Sequence, residues 1–215
     1  MYQYATPDTD KRAFGRRLRS FLYRGIVKNA IDSVVALMAL IVLSPLILLI
    51  SVRIKRDSPG PIFIQQKCKG LRGYPFRMYK FRTHKLISVR SNQGSKYVLR
   101  ETYIGKILKE ANLENIPQLF NVFMSDMSLV GPRPEPVKLT INNVDIDQVI
   151  PEYQSRRLVK PGMTGWARIN GLRGPLRSFG DAVQRVSYDI DYTKYASLKV
   201  DCYILFKTLP FLKRA

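Results

Sequence analysis

The sequence predicts an α-rich α+β fold in which a compact domain follows an N-terminal membrane helix. Three observations support this prediction. Residues 33–52 are twenty consecutive uncharged residues, enough for a helix to cross the hydrocarbon core of a bilayer. Residues 57–83 combine turn formers with short β-like runs, which is typical of a hairpin. Beyond residue 100, apolar residues recur at helical spacing in several segments.

The apolar run has basic residues on both sides. Those before it are Lys11, Arg12, Arg16, Arg17, Arg19, Arg24 and Lys28. A basic stretch at residues 53–56 follows it in place of a small-residue cleavage site, which argues against a signal peptide. Both flanks therefore favour the cytoplasmic side of the membrane, and the distribution of basic residues does not favour one orientation over the other. Pro45 cannot donate to the carbonyl of Ile41, although the hydroxyl of Ser44 can. The residues leave two topologies open, a re-entrant helix broken at Ser44-Pro45 and a kinked spanning helix.

The segment after the membrane helix predicts a small β element. Residues 62–66 and 76–81 have the composition of short strands, and the glycines of residues 70–73 mark a turn between them. We expect an antiparallel hairpin there. Residues 84–100 are polar and basic, and we expect a loop.

The rest of the chain is predicted to be mainly helical. The helical segments are 103–111, 118–127, one or two helices within 137–158, and two amphipathic helices within 179–213. Pro117 is suited to open the second of these. Residues 198–209 are apolar enough to lie on or against a membrane surface.

The composition narrows the class of protein. The 215 residues carry 36 Lys+Arg and 16 Asp+Glu, a net charge of +20, yet 46% are hydrophobic, which excludes a disordered polycation. Cys68, Cys202 and the single His84 exclude a disulfide scaffold and a His/Cys zinc cluster. Residues 53–110 hold fifteen basic residues and three acidic ones, directly after the apolar run. We therefore expect anionic membrane lipids and a phosphorylated substrate as partners, and no nucleic acid.

Five segments occur in a particular order along the chain. They are the apolar run with Ser44-Pro45, IKRDSPGPIFIQQKCKGLRGYPFRMYKFRT, LENIPQLFNVFMSDMSLVGPRPEP, LVKPGMTGWARING and YDIDYTKYASLKVDCYILFKTL. Together they resemble the bacterial sugar transferases, which are monotopic phosphoglycosyl transferases acting on polyprenyl phosphate. The resemblance covers about residues 28–209.

The resemblance implies an activity. Such enzymes move a phosphosugar from a nucleoside diphosphate sugar, a UDP-sugar by family expectation, to polyprenyl (undecaprenyl) phosphate. This step initiates exopolysaccharide, capsule, O-antigen or related glycan assembly. The family's mechanism uses Mg²⁺ and a covalent intermediate on an acidic side chain. A homo- or hetero-oligomer is compatible with this activity.

The resemblance also favours the re-entrant topology. It implies a protein on the cytoplasmic face of the bacterial inner membrane. We expect a basic N-terminal segment at 1–28, a re-entrant membrane helix at 29–56 and a cytoplasmic transferase domain at 57–215.

The family's catalytic Asp-Glu pair corresponds to Glu114 and Asn115 in this chain. The resemblance implies that Glu114 is the nucleophile and a metal ligand. Crowded phosphates repel one another and need fixed cations or a metal. The residues expected to surround the phosphates are Lys80, Arg82, Arg100, Arg133 and Glu135.

The altered pair leaves three interpretations open. Glutamate is one methylene longer than aspartate, and a displacement of about 1 Å can cost on the order of 10²-fold in rate. Asparagine offers only a neutral carbonyl. The chain is therefore a working variant that uses Glu114, a catalytically impaired paralogue that binds substrate or lipid and regulates a partner, or an enzyme in which Asp126 or Glu135 supplies the carboxylate.

Overall fold

A long helix packs along a mixed helix–sheet domain in the computed structural model, which describes residues 23–91, 94–141, 144–174, 176 and 178–212. The basic residues predicted to flank the helix at 11–19 lie outside this part of the chain. The α-helices are α1 (Lys28–Asp57), α2 (Tyr103–Glu110), α3 (Gln118–Phe123), α4 (Ile146–Val149), α5 (Trp166–Ile169), α6 (Phe179–Tyr195) and α7 (Leu198–Leu212). The strands are β1 (Phe63–Lys69), β2 (Pro75–Phe81), β3 (His84–Ser91), β4 (Gly94–Glu101), β5 (Ser128–Val130), β6 (Glu135–Pro136), β7 (Thr140–Ile141), β8 (Val144–Asp145) and β9 (Gly162–Thr164).

Helix α1 exposes most of its apolar surface. The helical stretch Gly25–Asp57 is long and apolar enough to cross a membrane, yet only 11% of its most apolar 18-residue segment is buried inside the protein. The core helix of a water-soluble protein would be largely covered by other elements. The exposed side of α1 therefore matches an apolar environment outside the protein.

Helix α1 runs through Pro45 without interruption. The Ser44 hydroxyl donates to the carbonyl oxygen of Ile41 at 2.8 Å, which is the acceptor that Pro45 leaves free. A break in the helix at Ser44-Pro45 was expected from the sequence, whereas the structure has one continuous helix. The side-chain hydrogen bond that replaces the missing backbone bond explains the difference.

The predicted hairpin is confirmed. Strands β1 and β2 pair in antiparallel fashion, with Phe63 opposite Phe81 and Lys69 opposite Pro75. Strand β6 pairs with the other edge of β1 and places Glu135 opposite Lys69. The resulting sheet has the order β2-β1-β6. It brings residues from distant parts of the sequence to adjacent strands.

The prediction of a loop at residues 84–100 is wrong. This segment is a second antiparallel hairpin, β3–β4, in which Leu86 lies opposite Leu99. The amide of Thr102 donates to the carbonyl of Thr83 at 3.0 Å and closes its base. Leu86 and Leu99 are both about two-thirds exposed, so this apolar pair is not buried in the core. Backbone pairing forms these strands without the alternation that identifies a strand in a sequence.

The predicted tail helices are confirmed as α6 and α7, and the helix expected at 103–111 is α2. Helix α3 is shorter than the predicted 118–127. It ends at Phe123 because Ser125 adopts a φ of 64° and the amides of Asp126 and Met127 turn back to the carbonyl of Asn121.

The segment 137–158 departs further from its predicted helices. It contains the two-residue strands β7 and β8, the four-residue helix α4 and a 3₁₀ helix, Pro151–Leu158. Helix α4 ends after one turn, and Pro151 opens the 3₁₀ helix two residues beyond it. The apolar residues here fill a core with α6 although little of the segment is α-helical.

Both halves of α1 take part in the core of the domain. Ala36 packs with Met78 and Val122 beneath the first sheet. Nearer the C-terminal end, Ile54 packs against Phe81 and Leu108. The helix is therefore part of the folded domain along its length.

We expect Leu108→Ala to lower the free energy of unfolding by about 2–5 kcal/mol, because this side chain is 1% exposed and the cavity would not refill. Leu86→Ala is the matched control, since Leu86 is 68% exposed, and it should change stability by less than about 0.5 kcal/mol. Thermal unfolding of the purified proteins in detergent measures both. Equal effects of the two substitutions would contradict the packing of α2 against α1.

Candidate active site

A close backbone contact brings two glycine-containing segments together. Strands β5 and β9 are parallel, and the amide of Gly131 donates to the carbonyl of Thr164 at 2.8 Å. The amide of Gly162 donates to the carbonyl of Pro132, also at 2.8 Å. A Cβ atom on Gly162 would lie 2.0 Å from the nitrogen of Gly131, so no larger residue fits. This contact sets the loop after β5 beside the start of α5.

A cavity of about 250 Å³ opens beside this contact. Four of the predicted site residues line it, namely Lys80, Asn115, Arg133 and Glu135. They come from β2, from a 3₁₀ turn, from the loop after β5 and from β6. The structure thus forms one cavity from residues that run from Gln66 to Arg185 in the sequence.

Two further arginines line the same cavity, Arg168 of α5 and Arg185 of α6. Neither arginine was among the site residues expected from the sequence. Arg168 lies within the segment LVKPGMTGWARING that carried part of the resemblance, which was a usable signal. Arg185 had no such signal, because nothing local distinguishes it from the other basic residues of the chain.

Glu114 and Asn115 lie on the 3₁₀ turn Leu113–Asn115, between α2 and α3. The Asn115 amide nitrogen is 3.5 Å from Glu114 Oε1, and its carbonyl oxygen accepts from Gln118 Nε2 at 2.8 Å. Asn115 lines the cavity, and Glu114 is close enough to act electrostatically on Lys80 and Arg133. The predicted nucleophile therefore acts on the cavity cations, although Glu114 itself is not part of the cavity lining.

The cations of the cavity repel one another. Burial lowers the pKa of Arg133, and the nearby guanidinium of Arg168 lowers it further. Burial also lowers the pKa of Lys80, which Glu114 partly opposes. Lys80 donates to Gln66 Oε1 at 3.2 Å. Within the described part of the chain, no carboxylate lies within 4.0 Å of Lys80, Arg133 or Arg168. An anion bound in this cavity would relieve the repulsion.

Behind the cavity, the basic residues are paired. Arg156 is 3% exposed and lies between Glu135 and Asp189, with its Nε donating to Asp189 Oδ2 at 2.9 Å. Its Nη2 also donates to the backbone carbonyl of Arg133 at 2.9 Å. Burial raises the pKa of Asp189, and Arg156 opposes that rise. Arg156 thus forms ion pairs with two buried carboxylates and holds the loop that carries Arg133.

The remaining predicted residues lie away from the cavity lining. The guanidinium of Arg82 donates to the backbone carbonyls of Ser58 and Pro59, just after α1. Arg100 is exposed on β4. Asp126 is also exposed, and Asn121 Nδ2 lies 3.4 Å from its carboxylate. Glu135 reaches the cavity wall, but it is ion-paired with Arg156.

Few of the side chains around the cavity could coordinate a metal ion. Among the described residues, no three His, Cys, Asp or Glu side chains form a group that would hold a metal ion. Of the two carboxylates that act on Arg133, Glu135 is ion-paired with Arg156, whereas Glu114 has no ion pair with a described residue. Mg²⁺ often binds to one or two carboxylates and to phosphates of the substrate. Glu114 fits a Mg²⁺ of that kind, one that is shared with a phosphorylated ligand.

The structure combines a long exposed apolar helix with a cavity lined by several basic side chains. The chain belongs to the bacterial sugar transferase family, whose sequence model matches residues 23–214. Transferases of this family are generally dependent on a divalent metal.

Curated relatives agree with this family. The UDP-glucose:undecaprenyl-phosphate glucose-1-phosphate transferase of Xanthomonas campestris pv. campestris is 39% identical over 189 residues, which cover 86% of this chain and 38% of that protein. The exopolysaccharide production protein PSS of Rhizobium leguminosarum bv. phaseoli is 37% identical, covering 86% of this chain and 94% of that protein.

A third relative has a different sugar in its name. The UDP-N-acetylgalactosamine-undecaprenyl-phosphate N-acetylgalactosaminephosphotransferase of Aeromonas hydrophila is 35% identical, covering 91% of this chain and 45% of that protein. The chain therefore spans less than half the length of the Xanthomonas and Aeromonas proteins.

We expect Arg156→Met to lower the free energy of unfolding by about 3–5 kcal/mol, because Glu135 and Asp189 would lose a buried counter-charge. Arg77→Met is the control, since Arg77 is exposed on β2 and should change stability by less than about 0.5 kcal/mol. Thermal unfolding in detergent compares them. If Arg156→Met were as stable as the control, the buried ion pairs would not support this site.

Proposed function

We propose that this chain transfers a phosphosugar from a UDP-sugar to undecaprenyl phosphate. The observation that carries the proposal is the meeting of three unpaired cations, Lys80, Arg133 and Arg168, beside Glu114. The names of the Xanthomonas and Aeromonas relatives supply the substrate class. The sugar is not part of the proposal, because those relatives name glucose and N-acetylgalactosamine.

The chemistry follows from these side chains in two displacements. A carboxylate oxygen of Glu114 attacks the β-phosphorus of the UDP-sugar and breaks its bond to the bridging oxygen, which leaves with UMP. An oxygen of undecaprenyl phosphate then attacks the same phosphorus, breaks the bond to Glu114 and restores its carboxylate. Lys80 and Arg133 stabilise the negative charge that develops on the phosphoryl oxygens. Mg²⁺, held by Glu114 together with the diphosphate, would add positive charge at the leaving group.

A second candidate function is a catalytically impaired paralogue that binds the same ligands and regulates a partner. The observation in its favour is Asn115, which carries no charge and whose carbonyl oxygen already accepts from Gln118. Glu114 is the only carboxylate of the pair. In a working enzyme it would therefore have to serve as both nucleophile and metal ligand. The two candidates differ in turnover, whereas both predict ligand binding.

The first test is UMP release by the purified protein with UDP-glucose or UDP-N-acetylgalactosamine, undecaprenyl phosphate and Mg²⁺. We expect turnover in the wild type and a loss of about 10³-fold or more in Glu114→Ala, because the nucleophile is removed. Asp126→Ala removes an exposed carboxylate outside the cavity and should retain wild-type turnover.

The outcomes separate the interpretations. Turnover that survives in Glu114→Ala would refute Glu114 as the nucleophile. A wild type that binds UDP without turnover, and gains turnover in Glu114→Asp combined with Asn115→Glu, would support the impaired paralogue.

We further propose that α1 enters and leaves the membrane on the cytoplasmic side. Its N-terminal end is tied to the domain by the Lys28–Asp201 ion pair and a hydrogen bond from Ser128 to Asp32. Its C-terminal end packs on the same domain through Ile54. Thirty helical residues are about 45 Å long, so a spanning α1 would draw part of the domain through the bilayer. The exposed side chains of α7, such as Phe206, would contact the same leaflet.

Single cysteines introduced by Gly25→Cys and Arg56→Cys test this topology. A Cys202→Ser background removes the exposed native thiol, and the buried Cys68 remains. A Cβ atom at Gly25 meets no atom within 4 Å, so the substitution is tolerated. We expect a membrane-impermeant maleimide to label both sites only after spheroplasts are lysed. Labelling of either cysteine in intact spheroplasts would refute the re-entrant topology.

A further inference from the structure

The basic residues around the cavity fall into two groups. One group has carboxylate partners within 4.0 Å; it consists of Lys69, Arg156 and Arg157, which are not part of the lining of this cavity, and of Arg185, which lines it. The other group lines the cavity and has no such partner among the described residues: Lys80, Arg133 and Arg168. Among the described residues, no carboxylate lies within 4.0 Å of these three positive charges.

The position of Arg168 is set by backbone contacts. Gly165 precedes α5, and a Cβ atom there would lie 2.2 Å from the carbonyl oxygen of Gly131, so α5 begins against the loop of Arg133. One guanidinium nitrogen of Arg168 donates to the carbonyl of Met163 at 3.3 Å. Its other N–H groups have no hydrogen-bond partner in the described structure, and the side chain lines the cavity. These donors are available to a ligand.

The charges in the cavity indicate whether fixed cations or a metal ion would neutralise a bound diphosphate. Glu114 is the one carboxylate that acts on the cavity cations and lacks an ion pair with a described residue. A single carboxylate binds Mg²⁺ weakly unless phosphates complete the coordination. Three fixed cations, in contrast, are present before any ligand arrives. They can neutralise a diphosphate without a metal ion.

We propose that Arg168, together with Arg133 and Lys80, binds the diphosphate of the nucleotide sugar without a divalent cation. This rests on the proposed function and adds to it a residue and an order of events: nucleotide binding is metal-independent, and any metal requirement belongs to phosphosugar transfer. Arginine suits this role because its planar fork can hold two phosphate oxygens at once. A lipid monophosphate offers less charge than three cations can neutralise, which favours the diphosphate as the ligand.

The test is isothermal titration of UDP into the full-length protein in detergent, with Mg²⁺ and with EDTA. We expect the wild-type Kd to change less than about threefold when Mg²⁺ is removed. In EDTA, Arg168→Gln should bind UDP about tenfold or more weakly, since a charged hydrogen bond is lost. Arg77→Gln removes an exposed charge from β2, outside the cavity lining, and should bind like the wild type.

Two further arms identify the ligand and guard against misfolding. Arg168→Lys keeps the charge and should retain UDP binding in EDTA within about threefold to tenfold of the wild type. Farnesyl phosphate replaces UDP in a parallel titration, and its Kd should be the same in Arg168→Gln and the wild type. Equal weakening for both ligands would overturn the assignment of Arg168 to the nucleotide.

The wild type alone also tests the inference. Loss of UDP binding in EDTA would overturn it, whatever the variants do. UDP binding in EDTA, combined with no release of UMP from a UDP-sugar when Mg²⁺ and undecaprenyl phosphate are present, would support metal-independent binding while refuting turnover. The failure of this inference and the failure of the proposed function are therefore separate results.

Discussion

The site depends on the backbone contact between Gly131 and the segment around Gly162. Two hydrogen bonds of 2.8 Å join these segments, and the approach leaves no room for a Cβ atom at Gly162. Arg133 follows the first segment and Arg168 follows the second. A side chain at either glycine would separate the segments and widen the cavity. The two arginines share a cavity because two pieces of backbone can touch there.

Arg156 explains how so basic a chain can be folded around this contact. It forms ion pairs with Glu135 and Asp189 in the interior, where Arg185 lies 3.8 Å from Glu135 as a second cation, and it donates to the backbone carbonyl of Arg133. The interior charges are thereby matched, while the charges at the cavity surface are left for a ligand. A net charge of +20 would otherwise oppose the compact state by self-repulsion. Paired cations stabilise the interior, whereas cations that have no carboxylate partner among the described residues line the cavity.

The fold was predictable where local pattern and tertiary environment agree. The β1–β2 hairpin, α2 and the two tail helices were found because turn glycines and apolar spacing mark them. The β3–β4 hairpin was missed because its segment is polar and basic, and because its apolar pair Leu86 and Leu99 is exposed. Of the site, Lys80, Arg133, Glu135 and Asn115 line the cavity, whereas Arg82 holds the turn after α1 and Arg100 lies on an exposed strand. The sequence alone does not distinguish a basic residue that lines the cavity from one that lies elsewhere, because both kinds lie next to a motif.

The sequence by itself determined the long apolar helix, the resemblance to the family, and the expectation that Glu114 and Asn115 stand where the family has its acidic pair. Each of these is written in consecutive residues, and local chemistry or motif order is enough to identify it. Only the tertiary structure decided which of the 36 basic residues face the cavity and which are neutralised inside. That distinction depends on carboxylates far away in the chain, such as Asp189 for Arg156. Charge pairing is a property of distance in space, which the order of residues does not state.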